Sequence, residues 1–296
     1  MSGSIGQPAV LDLGWLGGPG RIGAWRAGEV LIDCGPATTL PRLLAACGDW
    51  RPEAILLTHI HFDHAGAIGQ LVRHWPGVEV CVHQRGAKHL IAPERLEASA
   101  RRVFGKAFDE KFGALEPVPA ESIRVVHDGD EVHGFQAAET PGHASHHLAF
   151  FHAPTGWCFP GDVMGVRLAK DGPVLLPTPP PDIDLDLWSA SVDRVSAWEP
   201  ITFGLPHFGR FEDVPFHVGQ VRRALERHRE QFEHPPGQAS FINETRRSLG
   251  LDDRPELLHD YETVVPLEQN YVGLLRAAGG AITSASPRSA DTGGRS

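Results

Sequence analysis

The chain has 296 residues, enough for one large domain or two modest ones and enough to bury a core without disulfide staples. Its formal net charge of -10, with no block of Lys or Arg, argues against nucleic-acid binding by phosphate neutralisation and points to a small-molecule substrate. Four scattered cysteines without a CxxC pair read as reduced thiols. The N-terminus has no basic and apolar leader pattern and no run approaches membrane-spanning length, so the expectation is a cytoplasmic protein with no membrane partner.

In chain order, VLDLGWLG, IGAWRAG and EVLIDCGP (residues 10–36) are glycine-punctuated apolar segments that predict successive strands. TLPRLLAACGDW has helical spacing. EAILLT is a short buried strand, followed at once by HIHFDHAGAIGQLVRHW, which runs into a helix. VEVCVHQ predicts the next strand, APERLEASARRVFG a helix, and IRVVHDGDEVHGFQAAET a hairpin turned at Asp128-Gly129-Asp130. HHLAFFHAPTGWCFPGD holds two further strands around Pro154-Thr155-Gly156. The proline run LLPTPPPDIDLD reads as a rigid loop, because consecutive prolines fix φ and lack donors. A helix before Pro200, the strand ITFGLPHFG and helical patterns from Asp213 onward complete the chain. This alternation predicts an α/β or mixed α+β class: a first domain over 1–212, a helical region over 213–280 and a disordered tail over 281–296. The apolar faces of the C-terminal helices fit a homodimer as readily as packing within the chain.

The chemistry-bearing residues lie at strand ends. His59, His61, Asp63 and His64 fall within six residues after a strand. On a nearly extended backbone His59 and His61 point the same way and can share one ion, while Asp63 and His64, past the bend, address a second. His143 in TPGH, Asp162 in PGD and His207 in LPHFG each follow a predicted strand on a loop flanked by glycine or proline. Gly142 lets the backbone turn tightly and aim His143, whereas His146 and His147 read as supporting residues. The donors are imidazoles and carboxylates without thiolate, as zinc and other first-row divalent ions prefer. Asp33 reads equally as an aspartate orienting a ligand histidine or as a turn stabiliser.

With THIHFDH followed in order by His143, Asp162 and His207, the chain resembles the metallo-β-lactamase superfamily, and within it the glyoxalase II-like hydrolases, over approximately residues 9 to 212. The resemblance implies a four-layer αβ/βα sandwich with two metals at one edge of its sheets. His59, His61 and His143 would hold the first ion, Asp63, His64 and His207 the second, and Asp162 would bridge them. The ions would be zinc, with manganese or iron as alternatives. Asp63 and His207 are assigned catalytic as well as metal-binding roles. The implied activity is hydrolysis of an ester or thioester, lactones included. A mononuclear iron oxygenase of the persulfide dioxygenase type, a phosphodiesterase and a non-catalytic binding module are the competing readings. The two tyrosines, Tyr261 and Tyr271, both lie in the C-terminal helices, which weakens a lactonase reading that relies on a tyrosine beside the metals. The segment from Phe241 to Leu251 is the expected source of selectivity.

Overall fold

Short strands, the central ones buried along their whole length, assemble into two sheets packed face to face. The computed structural model describes residues 5–279, so the tail expected to be disordered lies outside the described residues. The first sheet is built from β1 (Ala9–Asp12), β2 (Gly23–Ala27), β3 (Val30–Ile32), β4 (Ala54–Leu56), β5 (Glu79–His83) and β6 (Ile123–Val126), in that spatial order. β1 to β3 run antiparallel, and β3 to β6 run parallel. Parallel neighbours need crossovers. These are supplied by α1 (Leu40–Cys47), α2 (Phe62–Ala65), α3 (Ile68–His74), α4 (Gln84–Ile91), α5 (Glu94–Phe104) and α6 (Ala107–Lys111). The second sheet contains β7 (Glu131–Val132), β8 (Phe135–Glu139), β9 (Leu148–His152), β10 (Trp157–Phe159), β11 (Thr202–Leu205) and β12 (Gly209–Phe211), in the order β12-β11-β10-β9-β8-β7. It is antiparallel except for β10 and β11, whose parallel pairing is bridged by α7 (Leu185–Ser196). The chain ends in α8 (Val214–Glu233), α9 (Gln238–Leu249), α10 (Pro255–Val264) and α11 (Leu267–Ala277).

The two-residue period of the strands sorts side chains into layers. Val30, Ile32, Ala54, Leu56 and Cys81 face Phe135, Ala137, Leu148, Phe150, Trp157 and Phe159 across the inter-sheet core. Their neighbours Leu31, Ile55, Val80 and Val82 point the other way, into the core shared with α1, α3, α4, α5 and α6. Ala149, Phe151, Cys158, Phe203 and Leu205 meet α7, α8 and part of α11. The result is the expected four-layer arrangement, helix, sheet, sheet, helix. Each fully buried large apolar side chain stabilises it by about 1.5–3 kcal/mol before conformational entropy is subtracted.

Two local expectations are corrected. Asp128-Gly129-Asp130 is a turn, with Gly129 at φ 80°, but it is not the tip of a hairpin. β6 before it pairs in parallel with β5, β7 after it belongs to the second sheet, and the hairpin proper joins β7 to β8. The helix α4, directly after β5, has no counterpart among the predicted elements. It is capped by His83, whose Nδ1 accepts the Arg85 N–H at 2.9 Å.

The proline-rich loop is irregular, as expected, and is fastened by α11. Asn270 Nδ2 donates to the Leu176 carbonyl, while its Oδ1 accepts the Thr178 N–H, at 2.9 and 2.8 Å. Tyr261 is fully buried, donating to the Pro173 carbonyl and accepting the Leu168 N–H, so its hydroxyl is committed to the scaffold. Among the described residues no helix is long and apolar enough to cross a membrane.

Candidate metal centre

All seven sequence-predicted ligands converge at one edge of the two sheets. The first sheet delivers His59, His61, Asp63 and His64 from the extended segment after β4 and the first turns of α2. The second sheet delivers His143 after β8, Asp162 after β10 and His207 after β11. Glycines allow two of these approaches. Gly142 has φ 131°, and a Cβ there would fall 2.3 Å from Trp188 Cα. Gly161 has φ 53°, and its Cβ would fall 2.6 Å from His147 Nε2. A side chain at either position would displace the neighbouring ligand.

The donor atoms form three overlapping groups, each with its members within 4.8 Å of one another: His59, His61 and His143; Asp63, His64 and His207; and His59, His64 and Asp162. Asp162 stands between the histidine sets, with one oxygen 3.4 Å from His64 Nε2 and the other 3.6 Å from His143 Nε2. Asp63 lies 3.3 Å from His207 Nε2.

Hydrogen bonds on the far side of four of the rings determine which nitrogen faces inward. His143 Nδ1–H donates to the Pro177 carbonyl at 2.8 Å and His207 Nδ1–H to the Arg21 carbonyl at 2.7 Å. His64 Nδ1–H donates to Asp33 at 3.0 Å. The Thr58 hydroxyl donates to Asp33 and so accepts from His59 Nδ1–H at 3.1 Å. In these four the Nε2 lone pair is left pointing into the centre, whereas His61 turns its Nδ1 inward, 3.0 Å from His143 Nε2. His59 Nε2 and the Asp162 oxygen nearest His64 are buried without a hydrogen-bond partner. Buried polar atoms are rarely orphaned, and a set of converging lone pairs and carboxylates is what a divalent ion satisfies. The residues present therefore fit a pair of such ions.

The electrostatics agree. Burial, reinforced by neighbouring imidazoles, holds His59 well below the usual histidine range. Burial and then His143 hold His61 down to about 3. Burial opposes a charge on His64, but Asp162 and Asp63 outweigh it and raise its pKa well above the ordinary value. Burial would raise Asp63, yet His64 and His207 bring it down to about 2, and Asp162 is likewise held well below the carboxylate range. The centre favours anionic carboxylates and neutral imidazoles at His59, His61 and His143, the protonation states of metal ligands, while at His64 the two carboxylates draw in a positive charge, which without an ion is a proton.

Asp33 performs both roles read from the sequence. Its carboxylate fixes His64 and also accepts the Thr58 N–H at 2.8 Å. His147 accepts the Asp162 backbone N–H at 3.1 Å and so positions Asp162. The carbonyls of Arg21 and Pro177, which hold two ligands, carried no sequence signal.

Above the centre lies a cavity of about 540 Å³. Its walls come from Trp15, from α4 to α6, from the proline loop and from the junction of α10 and α11, represented by Val265 and Asn270. The segment Phe241–Leu251 does not reach it. Phe241, Thr245 and Leu249 are buried, and Arg246 pairs with Glu262. Selectivity therefore has to come from other elements than α9.

The chain belongs to the metallo-beta-lactamase superfamily, whose profile matches residues 26–197, more than half of its length. It is 28% identical over 164 residues to the metallo-beta-lactamase fold-containing protein ST1585 of Sulfurisphaera tokodaii, covering 53% of this chain and 60% of that protein. It is 31% identical over 139 residues to the hydroxyacylglutathione hydrolase of Citrobacter koseri, covering 46% of this chain and 42% of that enzyme. The chain thus spans about half the length of the curated relatives it matches. In fold it is similar to the crystal structure of ST1585, with a TM-score of 0.64 at 22% identity over 90% of this chain and 97% of the other. A metallo-beta-lactamase family protein from Thermus thermophilus gives a TM-score of 0.57 at 20% identity, covering 92% and 94%.

Proposed function

We propose that this protein is a dinuclear metal-dependent hydrolase that cleaves an ester or thioester bond, lactones included, in a small molecule. The observation that carries the reading is the set of inward-facing imidazole lone pairs around a buried, unpartnered Asp162 oxygen at the floor of an open cavity. The hydroxyacylglutathione hydrolase among the relatives supports the reaction class.

His59, His61 and His143 would hold one ion, Asp63, His64 and His207 the other, and Asp162 both. Zinc suits this donor set, and manganese or iron are compatible with it. When bound, such a pair lowers the pKa of a water to near neutrality and polarises the carbonyl to be attacked. The chain supplies orientation. Asp33, Arg21 and Pro177 lock the rings, and His147 fixes Asp162. Asp63 lines the cavity as an ionised carboxylate beside His207, placed to align the attacking water and take its proton. Trp15 and Phe112 give the same cavity an apolar wall. No serine or cysteine nucleophile is needed, and the four cysteines are buried away from it. The full chain loaded with zinc or manganese is expected to turn over members of a panel of esters, thioesters and lactones, and His61→Ala to abolish that turnover. Unchanged turnover in His61→Ala would overturn the reading.

A further inference from the structure

The walls of the cavity invert the charge balance of the chain. Acidic residues outnumber basic ones by 37 to 27 overall. Around the cavity, apart from the ligands, the fully charged side chains among the described residues are Arg85, Lys88, Lys111 and a single acid, Asp182. That acid is already engaged, accepting the Ser145 hydroxyl at 2.6 Å and the Ser145 N–H at 3.3 Å. Lys88 and Lys111 are two of the four lysines in the sequence.

Arg85 and Lys88 lie three residues apart in α4, so both project from one face of the helix. Neither forms an ion pair among the described residues. The Arg85 guanidinium makes one long hydrogen bond, 3.4 Å, to the carbonyl of Ser145, two residues beyond the ligand His143. About half of the arginines elsewhere on the described surface are matched to carboxylates, as in Arg101 with Asp109, Arg222 with Asp193 and Arg254 with Asp171. These two unmatched cations on α4 are set to receive an anion from outside the chain, whereas the third, Lys111, stands apart with its ammonium 6.0 Å over the Phe104 ring.

A different wall is aromatic. Trp15, Phe62 and Phe104 each pack on Phe112, with ring centroids 5.7, 5.6 and 4.9 Å apart, and all four line the cavity. Phe62 precedes the ligand Asp63, so this wall reaches the centre from the Asp63 side, while Arg85 reaches it from the His143 side.

Resting on the hydrolase reading above, we infer that the substrate is an amphiphilic ester or thioester: an anionic group, carboxylate or phosphate, is held by Arg85 and Lys88, and an apolar group lies against the Trp15, Phe104 and Phe112 wall on the other side of the scissile carbonyl. Arg85 and Lys88 are then specificity residues that contribute to binding and leave the chemistry at the centre unchanged.

The test uses the zinc-loaded full chain and two amides that resist hydrolysis, N-phenylglutaramate, with a carboxylate, and its neutral counterpart N-phenylpentanamide, with binding measured by calorimetry. The anion is expected to bind about tenfold more tightly, as a charge-assisted contact at a solvent-open site allows, and this preference should vanish in Arg85→Ala/Lys88→Ala. Lys106→Ala/Lys170→Ala, which removes two cations that do not line the cavity, should keep it. The inference is overturned if the anion has no advantage, if the advantage survives in the α4 variant because the carboxylate sits on the metal, or if the control variant loses it equally. In parallel, 4-nitrophenyl pentanoate and mono(4-nitrophenyl) glutarate report turnover. With selective binding and no turnover of any ester by the loaded protein, the hydrolase reading fails and the recognition site stands. With turnover of both esters at equal kcat/KM and equal amide binding, the recognition site fails and the hydrolase stands.

Discussion

His64 and His207 face each other with their Nε2 atoms 3.2 Å apart, although the Nδ1 of each already donates to Asp33 or to the Arg21 carbonyl. Two neutral imidazoles in that pose would oppose lone pair to lone pair, so the contact calls for a positive charge between them, either a proton, which Asp162 and Asp63 favour on His64, or the divalent ion that the donor set fits. Protein purified without chelator is therefore expected to carry about two divalent ions per chain, falling to about one in Asp63→Ala/His64→Ala. Elemental analysis reads both values. A single iron that survives the double substitution would instead favour the mononuclear oxygenase reading.

The same contact makes Asp33 a control point for the second ion. Asp33→Asn keeps an acceptor for the Thr58 N–H and tolerates the positive φ of 57° at this position, but it turns an amide N–H toward His64 Nδ1–H. Affinity for the second ion should fall by about 10- to 100-fold. Competition against a chromophoric chelator measures this, and unchanged affinity would remove Asp33 from the metal site.

Gly142→Ala tests the approach of His143. The added methyl would collide with the Trp188 backbone in a conformation that L residues rarely adopt. Overpacking and backbone strain together should cost about 2–5 kcal/mol. Denaturant unfolding should register the loss, accompanied by depletion of the ion bound through His143.

Stability should decline in mild acid for reasons partly independent of the metals. Burial holds His217 and His228 down to about 4, against 6.5 when exposed. Both groups are neutral when folded and bind protons when unfolded. Their contribution is fully present above about pH 6.5 and is lost as pH falls from there toward 4, by up to about 1.4 kcal/mol per pH unit for each. His228→Phe should make the dependence of unfolding free energy on pH between 7 and 5 shallower than in the parent. An unchanged slope would contradict the buried neutral state.

The ligand set was legible because its spacing is local. His59 to His64 are fixed by a few bonds, and His143, Asp162 and His207 each stand behind a strand and a Gly or Pro that has to turn the chain. The layers were legible from short continuous apolar runs such as VLI and LAFF, which mark strands covered on both faces. Other features depend on what meets what in space. The turn at Gly129 is real, but turn chemistry does not say which sheet receives the strand on either side. The apolar face of α9 announces burial without naming its partner, which is why Phe241 belongs to the core with Phe232 and Tyr271 instead of the cavity. The carbonyls of Arg21 and Pro177 belong to no residue type and leave no trace in a sequence.

Four of the seven ligands come from the sheet formed by residues 9–126 and three from the sheet formed by residues 131–211. Neither half contains a complete donor set for a pair of ions, so a chain that has loaded both has already docked its two halves. Under the hydrolase reading, ion occupancy would thus certify assembly: a nascent or half-folded chain could not become active early, whereas the seam itself is closed by the apolar core between the sheets.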